Sequence, residues 1–228
     1  MMLVHSLQAA GTAVATRVMS SDWLCYGVSP VVAGALGIIL PYCLVHILTV
    51  IGVLNEANAI KYGTKETRAE ALKDMHAKIP HMTQLSASLW TSLGPSAIVN
   101  GLLSYKLFPY LFPAIASLPV VPGWETFLKQ FLLMQLVGDL GLYLGHRVQH
   151  ESEFLWMHCH SFHHSIGTPS AASTAYIHPV DMTLQTALPM MIAAVVVQAH
   201  PLSFLVYVVL RVGESTINHC GHDSWIIN

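Results

Sequence analysis

Runs of apolar residues, broken by short polar stretches, set the plan of this chain. The first run covers 30–54, "PVVAGALGIILPYCLVHILTVIGVL", and has no charged residue. It is long enough to cross a bilayer core as a helix, and Pro41 predicts a kink. A second, more polar run covers about 85–105 and contains Pro95. The third, 127–144, reads "FLKQFLLMQLVGDLGLYL" and carries Lys129 and Asp139. The fourth, 184–210, is interrupted at "QAHP" (198–201), which predicts a turn. Each arm is then about a dozen residues, too short to cross at 1.5 Å per residue. A re-entrant helical hairpin is expected there. The segment 55–81 is polar and rich in lysine, and "KETRAEALKDMHAK" reads as an amphipathic surface helix. Its basic excess marks the cytosolic side.

The resulting expectation is an all-α integral membrane protein, with about three spans and one re-entrant hairpin. Residues 1–29 form an N-terminal, interfacial segment without the basic-then-apolar pattern of a cleaved signal. Residues 30–228 form one domain. Composition agrees. Of the 228 residues 54% are hydrophobic and 10% charged, against about 25% charged in an average soluble domain. The formal net charge of −2 gives no electrostatic case for nucleic acid. Cys25, Cys43, Cys159 and Cys220 are scattered without a CxxC spacing, so they are read as bystanders.

The chemistry lies in the histidines. Six of the fourteen fall in "GHRVQHESEFLWMHCHSFHHS" (145–165). His146 and His150 are one helical turn apart on one face, and His160, His163 and His164 are spaced i, i+3, i+4. His219 and His222 repeat an i, i+3 pair downstream. Imidazole is the commonest metal ligand, and this many exceeds what one tetrahedral zinc needs, so two metals are expected. Counting crossings puts all these groups on the cytosolic face, as a histidine-rich helical cap. His158 lies off the face of His160. His5, His46, His76, His81 and His200 are isolated and are read as packing or surface residues.

"HRVQH", "HSFHH", "AYIHPVD" and "INHCGHD" together resemble the fatty acid hydroxylase / sterol desaturase superfamily, across roughly residue 127 to the end. "HPVD" and "NHCG" resemble its C-4 methylsterol oxidase branch. The resemblance implies two non-haem Fe ions held by His146, His150, His160, His163, His164 and His219, with His222 and His178 as additions. His178 could equally orient a ligand or serve the backbone. It implies a membrane di-iron oxygenase that uses O2 to hydroxylate or oxidatively demethylate a sterol or fatty-acyl lipid. Cytochrome b5 and an NAD(P)H-dependent reductase would supply electrons, at the endoplasmic reticulum. Members carry a further HxxHH box beyond the "HCG" region, and this sequence stops at Asn228 before one, so it reads as a fragment.

Around the ligands, Asp139 lies two turns before His146 on the same stripe. A carboxylate in an apolar helix needs a partner, and the free N–H of a ligand histidine is the one expected. Tyr143 sits between them, and Glu214 precedes His219 by five residues. Three rival readings fit the same residues: a desaturase with the same metal site, a membrane metal-binding or transport protein, and an inactive scaffold.

Overall fold

The first apolar run starts its helix with Pro30 in the first turn, where a missing N–H costs nothing, and α1 spans Ser29–Val50. This is the computed structural model of the chain, and it describes residues 28–54, 86–87, 89–91, 94–111, 121–165 and 170–222. The expected surface helix at 65–78, residues 1–27, Cys25, His5, His76 and His81 lie outside the described residues. All described elements are helical. They are α1, α2 (Pro95–Leu111), α3 (Trp124–Glu151), α4 (over 153–163, in three short pieces), α5 (Pro179–Val197) and α6 (Pro201–Asn218), with a single 3-10 turn at Ala171–Ser173.

Three helices are long and apolar enough to cross a membrane: α1, α3 and α5. The chain is thus an integral membrane, all-α protein, as expected. The spans are distributed differently from the hydropathy reading. The second run yields α2, 17 residues or about 26 Å, and it is not among the three. The first hairpin arm is 19 residues instead of a dozen. It begins at Pro179, where the His178 Nδ1 accepts from the Val180 N–H. It then runs through Asp181, Thr183 and Gln185 before reaching the apolar stretch. Hydropathy places such polar residues outside a span. Two of them sit inside because protein groups solvate them: His160 takes Asp181, and Asn100 and the Pro179 carbonyl take Thr183.

Lipid-facing side chains stay uncovered. Leu132, Leu136 and Leu140 of α3 are exposed, as are Leu36, Leu40 and Leu44 of α1. In a bilayer these rows meet acyl chains, and the helices associate through close packing rather than burial from water. Two seams do this. In the first, α1 lies on α6, and a Cβ at Gly37 would stand 2.7 Å from the Val212 Cβ. Pro41 remains inside one continuous helix. Lacking an N–H, it cannot serve the Gly37 carbonyl. The Thr216 hydroxyl, 3.3 Å away, shares its hydrogen between that carbonyl and Val212 O.

In the second seam, Gly138, Gly141 and Gly145 form a stripe on α3 that admits the hairpin. A Cβ at Gly141 would meet Pro189 at 3.0 Å, and one at Gly145 would meet Leu184 O at 2.5 Å. The turn between α5 and α6 falls where "QAHP" predicts it, with Gln198 left-handed at φ 55. Gln130 of α3 clamps the turn. Its Nε2 donates to Gln198 O and its Oε1 accepts from His200 N–H. Backbone groups freed at the tip of a hairpin must find partners inside the protein, and one carboxamide supplies two.

Candidate metal centre

Three elements bring histidines to one end of this body. The first, α3, runs to Glu151, seven residues past the expected apolar end, and carries His146 and His150 on its last turns. Ser152 then breaks the helix with extended backbone and caps α4, accepting from Leu155 N–H. Within α4 the segment Trp156–His160 is π-helical. Thr183–Ala187 of α5 is π-helical too. Such insertions locally shift side-chain register and cluster at functional sites. Here one ends on His160 and the other begins two residues after its partner Asp181.

His146, His150, His160 and His164 converge, with ligand atoms all within 4.8 Å of one another. The Nε2 of His150 is 2.9 Å from that of His146 and 3.2 Å from that of His160, and His164 Nε2 is 3.1 Å from His160 Nε2. Imidazoles bound at about 2.1 Å to one ion, at right angles, place their nitrogens roughly 3 Å apart. The donor set therefore fits a metal ion with open positions. Trp156 forms a wall, 5.1 Å from the His150 ring and 5.4 Å from His164 between centroids.

A carboxylate fixes the cluster. The His160 Nδ1–H donates to Asp181 Oδ2 at 2.8 Å, and both side chains are completely buried. That bond commits the tautomer, leaving the Nε2 lone pair facing the other histidines. Gln149, also fully buried on α3, lies beside Asp181 and donates to Gly145 O at 3.3 Å. Gly145 makes this possible, because a side chain there would push the end of α3 away from α5. Asp181 stands within "YIHPVD", and nothing in the sequence alone assigns it a role. Its signal was an aspartate two residues into a helix, following a histidine-proline pair.

His163 does not join the four. At 100° per residue the i+3 and i+4 positions point about 100° apart, so His163 and His164 diverge on either side of His160. The His163 ring meets that of His219 instead, 5.5 Å between centroids. Here the main chain sets the orientation. His163 Nδ1 donates to Tyr176 O at 3.2 Å, and His219 Nδ1 to Ser215 O at 2.7 Å. Both Nε2 atoms are thereby left as acceptors. The two groups adjoin, with His163 5.5 Å from His164 and 6.2 Å from His160.

The remaining expected residues are placed as follows. His178 caps α5 through Nδ1. The His222 Nδ1 lies 3.1 Å from Cys220 O, beyond a left-handed Gly221. Neither belongs to the four-histidine group. Asp139 and Glu214 both pair with Arg211, Glu214 at 2.5 Å, rather than with a histidine. Tyr143 accepts from Arg147 at 2.8 Å. The single cation reaching over from α6 takes both carboxylates, which hydropathy along one helix gives no means of foreseeing. His158 stacks on Phe154, and His200 caps α6, accepting from Leu202 N–H. His46 stacks on Tyr42.

Burial lowers the proton affinity of the cap histidines. His160 falls to about 4, from desolvation and then the neighbouring His150. His163 also falls to about 4, from desolvation, offset in part by its Tyr176 hydrogen bond. The lowering of His164 likewise begins with desolvation, reinforced by His160. At neutral pH these imidazoles are neutral, the form that binds metal. Burial pushes the Cys159 and Cys220 thiols up, so they are inert.

A cavity of about 340 Å³ reaches this end of the body. His146, His163 and His219 line it at one end, and Ile38, Met190, Met191, Phe204 and Val208 continue it between the helices.

Residues 131–228 match the family model of the fatty acid hydroxylases. That stretch is similar to the fatty acid hydroxylase family, which its histidine motifs resemble. Among curated proteins, methylsterol monooxygenase 2-2 of Arabidopsis thaliana is 29% identical over 142 residues, 57% of this chain and 53% of that protein. The very-long-chain aldehyde decarbonylase GL1-11 of Oryza sativa subsp. indica is 32% identical over 124 residues, 54% of this chain and 45% of that protein. Fatty acid hydroxylase domain-containing protein 2 of Homo sapiens is 24% identical over 126 residues, 53% and 38% of the two chains. The chain thus spans about half the length, or less, of these relatives. No solved structure matches it.

Proposed function

We propose that this protein is a membrane oxygenase that hydroxylates, or oxidatively demethylates, a C–H bond of a sterol or fatty-acyl lipid, with a pair of non-haem irons at the histidine end. The carrying observation is the largely apolar cavity whose lining includes His146, His163 and His219. A lipid entering from the bilayer meets ligand-bearing histidines without leaving an apolar environment.

On this reading His146, His150, His160 and His164 hold one ion. His163 and His219 hold the second, with His222 and His178 as further donors within the same end. Bound iron supplies O2 activation. The overall balance is RH + O2 + 2 electrons + 2 protons giving ROH + H2O. Cytochrome b5 and an NAD(P)H-dependent reductase are the donors proposed, acting at the cytosolic face of the endoplasmic reticulum, with 30–228 as one catalytic domain. The residues of this chain do the rest. Asp181 holds the tautomer and direction of His160, Trp156 walls the cluster, and the aliphatic lining keeps water from the reacting carbon. Seating the histidines at the ends of α3 and α6 and on α4, not midway along a span, supports an enzyme over a transporter, whose ligands belong near the midplane.

The test is purification from a membrane in the full-length form, metal analysis, and lipid turnover under O2 with reduced cytochrome b5. The reading expects two irons per chain and an oxygenated lipid. Iron-free protein, or iron-loaded protein that leaves every lipid of the source membrane unchanged, would overturn it.

A further inference from the structure

The cavity is apolar along most of its length, yet two buried polar atoms at its histidine end have no partner among the described residues. They are Ser96 Oγ and Gln185 Oε1. Ser96 is only 3% exposed. Unpaired buried polar atoms are uncommon and each costs about 1–3 kcal/mol, so two that line one cavity, one from α2 and one from α5, point to a ligand that completes them.

Their depth is fixed by packing. Gln185 stands against Gly145, whose Cβ would come within 3.4 Å of its Cα, and Gly145 is the residue before His146. Ser96 lies one turn before Asn100, which accepts from Thr183 at 3.1 Å. Thr183 is two residues past Asp181, the partner of His160. Both polar atoms are therefore at the level of the histidines, not at the far end. Farther from the histidines, the Ser104 hydroxyl has only the Met191 sulfur, 3.6 Å away, and Met190, Met191, Phe204 and Val208 line the wall together with Arg211, which Asp139 and Glu214 hold.

Resting on the oxygenase reading, we infer that Ser96 and Gln185 bind a free hydroxyl of the lipid substrate, placed within a few bonds of the carbon that is oxidised. A hydroxyl both donates and accepts, so it serves the Gln185 oxygen and the Ser96 hydroxyl together. An ester or ether oxygen only accepts and leaves Oε1 unpaired. The apolar remainder of the lipid extends down the cavity. A long-chain lipid oxidised in mid-chain would set its polar group far from both residues.

The experiment is binding of radiolabelled lipid to the full chain in phosphatidylcholine nanodiscs. The probes are a 4-methylsterol and a long-chain primary alcohol, each beside its O-methyl ether. At least one alcohol is expected to bind about tenfold more tightly than its ether, one hydrogen bond's worth of discrimination. The near-isosteric Gln185→Met should erase most of that preference, whereas Ser96→Ala should weaken alcohol and ether alike, both with metal content unchanged. Equal binding of alcohol and ether, a preference that survives Gln185→Met, or alcohol binding unchanged by Ser96→Ala would sink the proposal. Loss of metal from the unaltered chain would instead count against the oxygenase reading, so the two failures are distinct.

Discussion

The two histidine groups are oriented by different means. In the four-residue cluster, a buried carboxylate on a neighbouring span, Asp181, sets His160, and the other three gather around its Nε2. In the His163–His219 pair, each Nδ1 is tied to a main-chain carbonyl. A carboxylate adds charge and makes the ligand more basic, whereas a carbonyl fixes the tautomer with a weaker effect on the nitrogen. The first group also depends on how closely α3 and α5 approach. For His219 the carbonyl lies four residues away on its own helix, and for His163 it lies thirteen residues away in the loop before α5.

The sharpest way to break this contrast is to remove His160. His160→Ala should cost about 1–3 kcal/mol of stability, because the buried Asp181 loses its hydrogen-bond donor, and should abolish one of two metal equivalents. His163→Ala should remove the other equivalent with a smaller loss of stability. Metal content and thermal unfolding in detergent read both, and equal losses from the two variants would refute the distinction. His150→Ala, at an exposed position, gives a cluster variant that does not strand the aspartate.

Asp181→Asn comes next. It keeps the shape and removes the charge, and metal affinity at the cluster should drop about 10–100-fold. The equivalent held by the pair should be unaffected. A metal titration in which both sites weaken alike would show that the carboxylate does not act on His160 alone.

The response to pH follows from the lowered values of His160 and His163. Their folded pKa values, about 4, lie below the unfolded 6.5. The unfolded chain therefore binds more protons in between, and stability falls as pH falls. The metal-free protein should be unaffected above pH 6.5 and lose stability progressively from there toward pH 4. A melting temperature that is flat across this window would contradict the burial of these rings.

Gly145→Ala tests the seam. Its new methyl would need Leu184 O to retreat from 2.5 Å, an overpacking that costs about 1–3 kcal/mol. Metal affinity at the cluster should weaken with it while the pair holds. The smallest effect is expected at His158, where alanine should change stability by no more than about 0.5 kcal/mol and leave metal content intact.

Much of this architecture can be read from the chain before any coordinates. The charge-free 30–54 run announces α1 because a bilayer core needs about 20 apolar residues. The "QAHP" break announces the hairpin turn. His146 and His150 share a face because they are spaced i, i+4. The lengths of α3 and α5 are less legible. Hydropathy stops where polar residues begin, and "GHRVQH" and "PVDMTLQT" are polar only until the fold supplies their partners.

The sequence by itself determined an all-α membrane body with metal-binding histidines gathered in a few local groups. Those properties follow from local periodicity and from transfer of apolar side chains into lipid. Only the tertiary structure decided which histidines meet and what orients them. It set His164 with His146 and His163 with His219, and it gave the buried carboxylate role to Asp181 while Arg211 took Asp139. Such choices depend on how closely α3 can approach α5 across the Gly145 seam, and no spacing within a single helix encodes that distance.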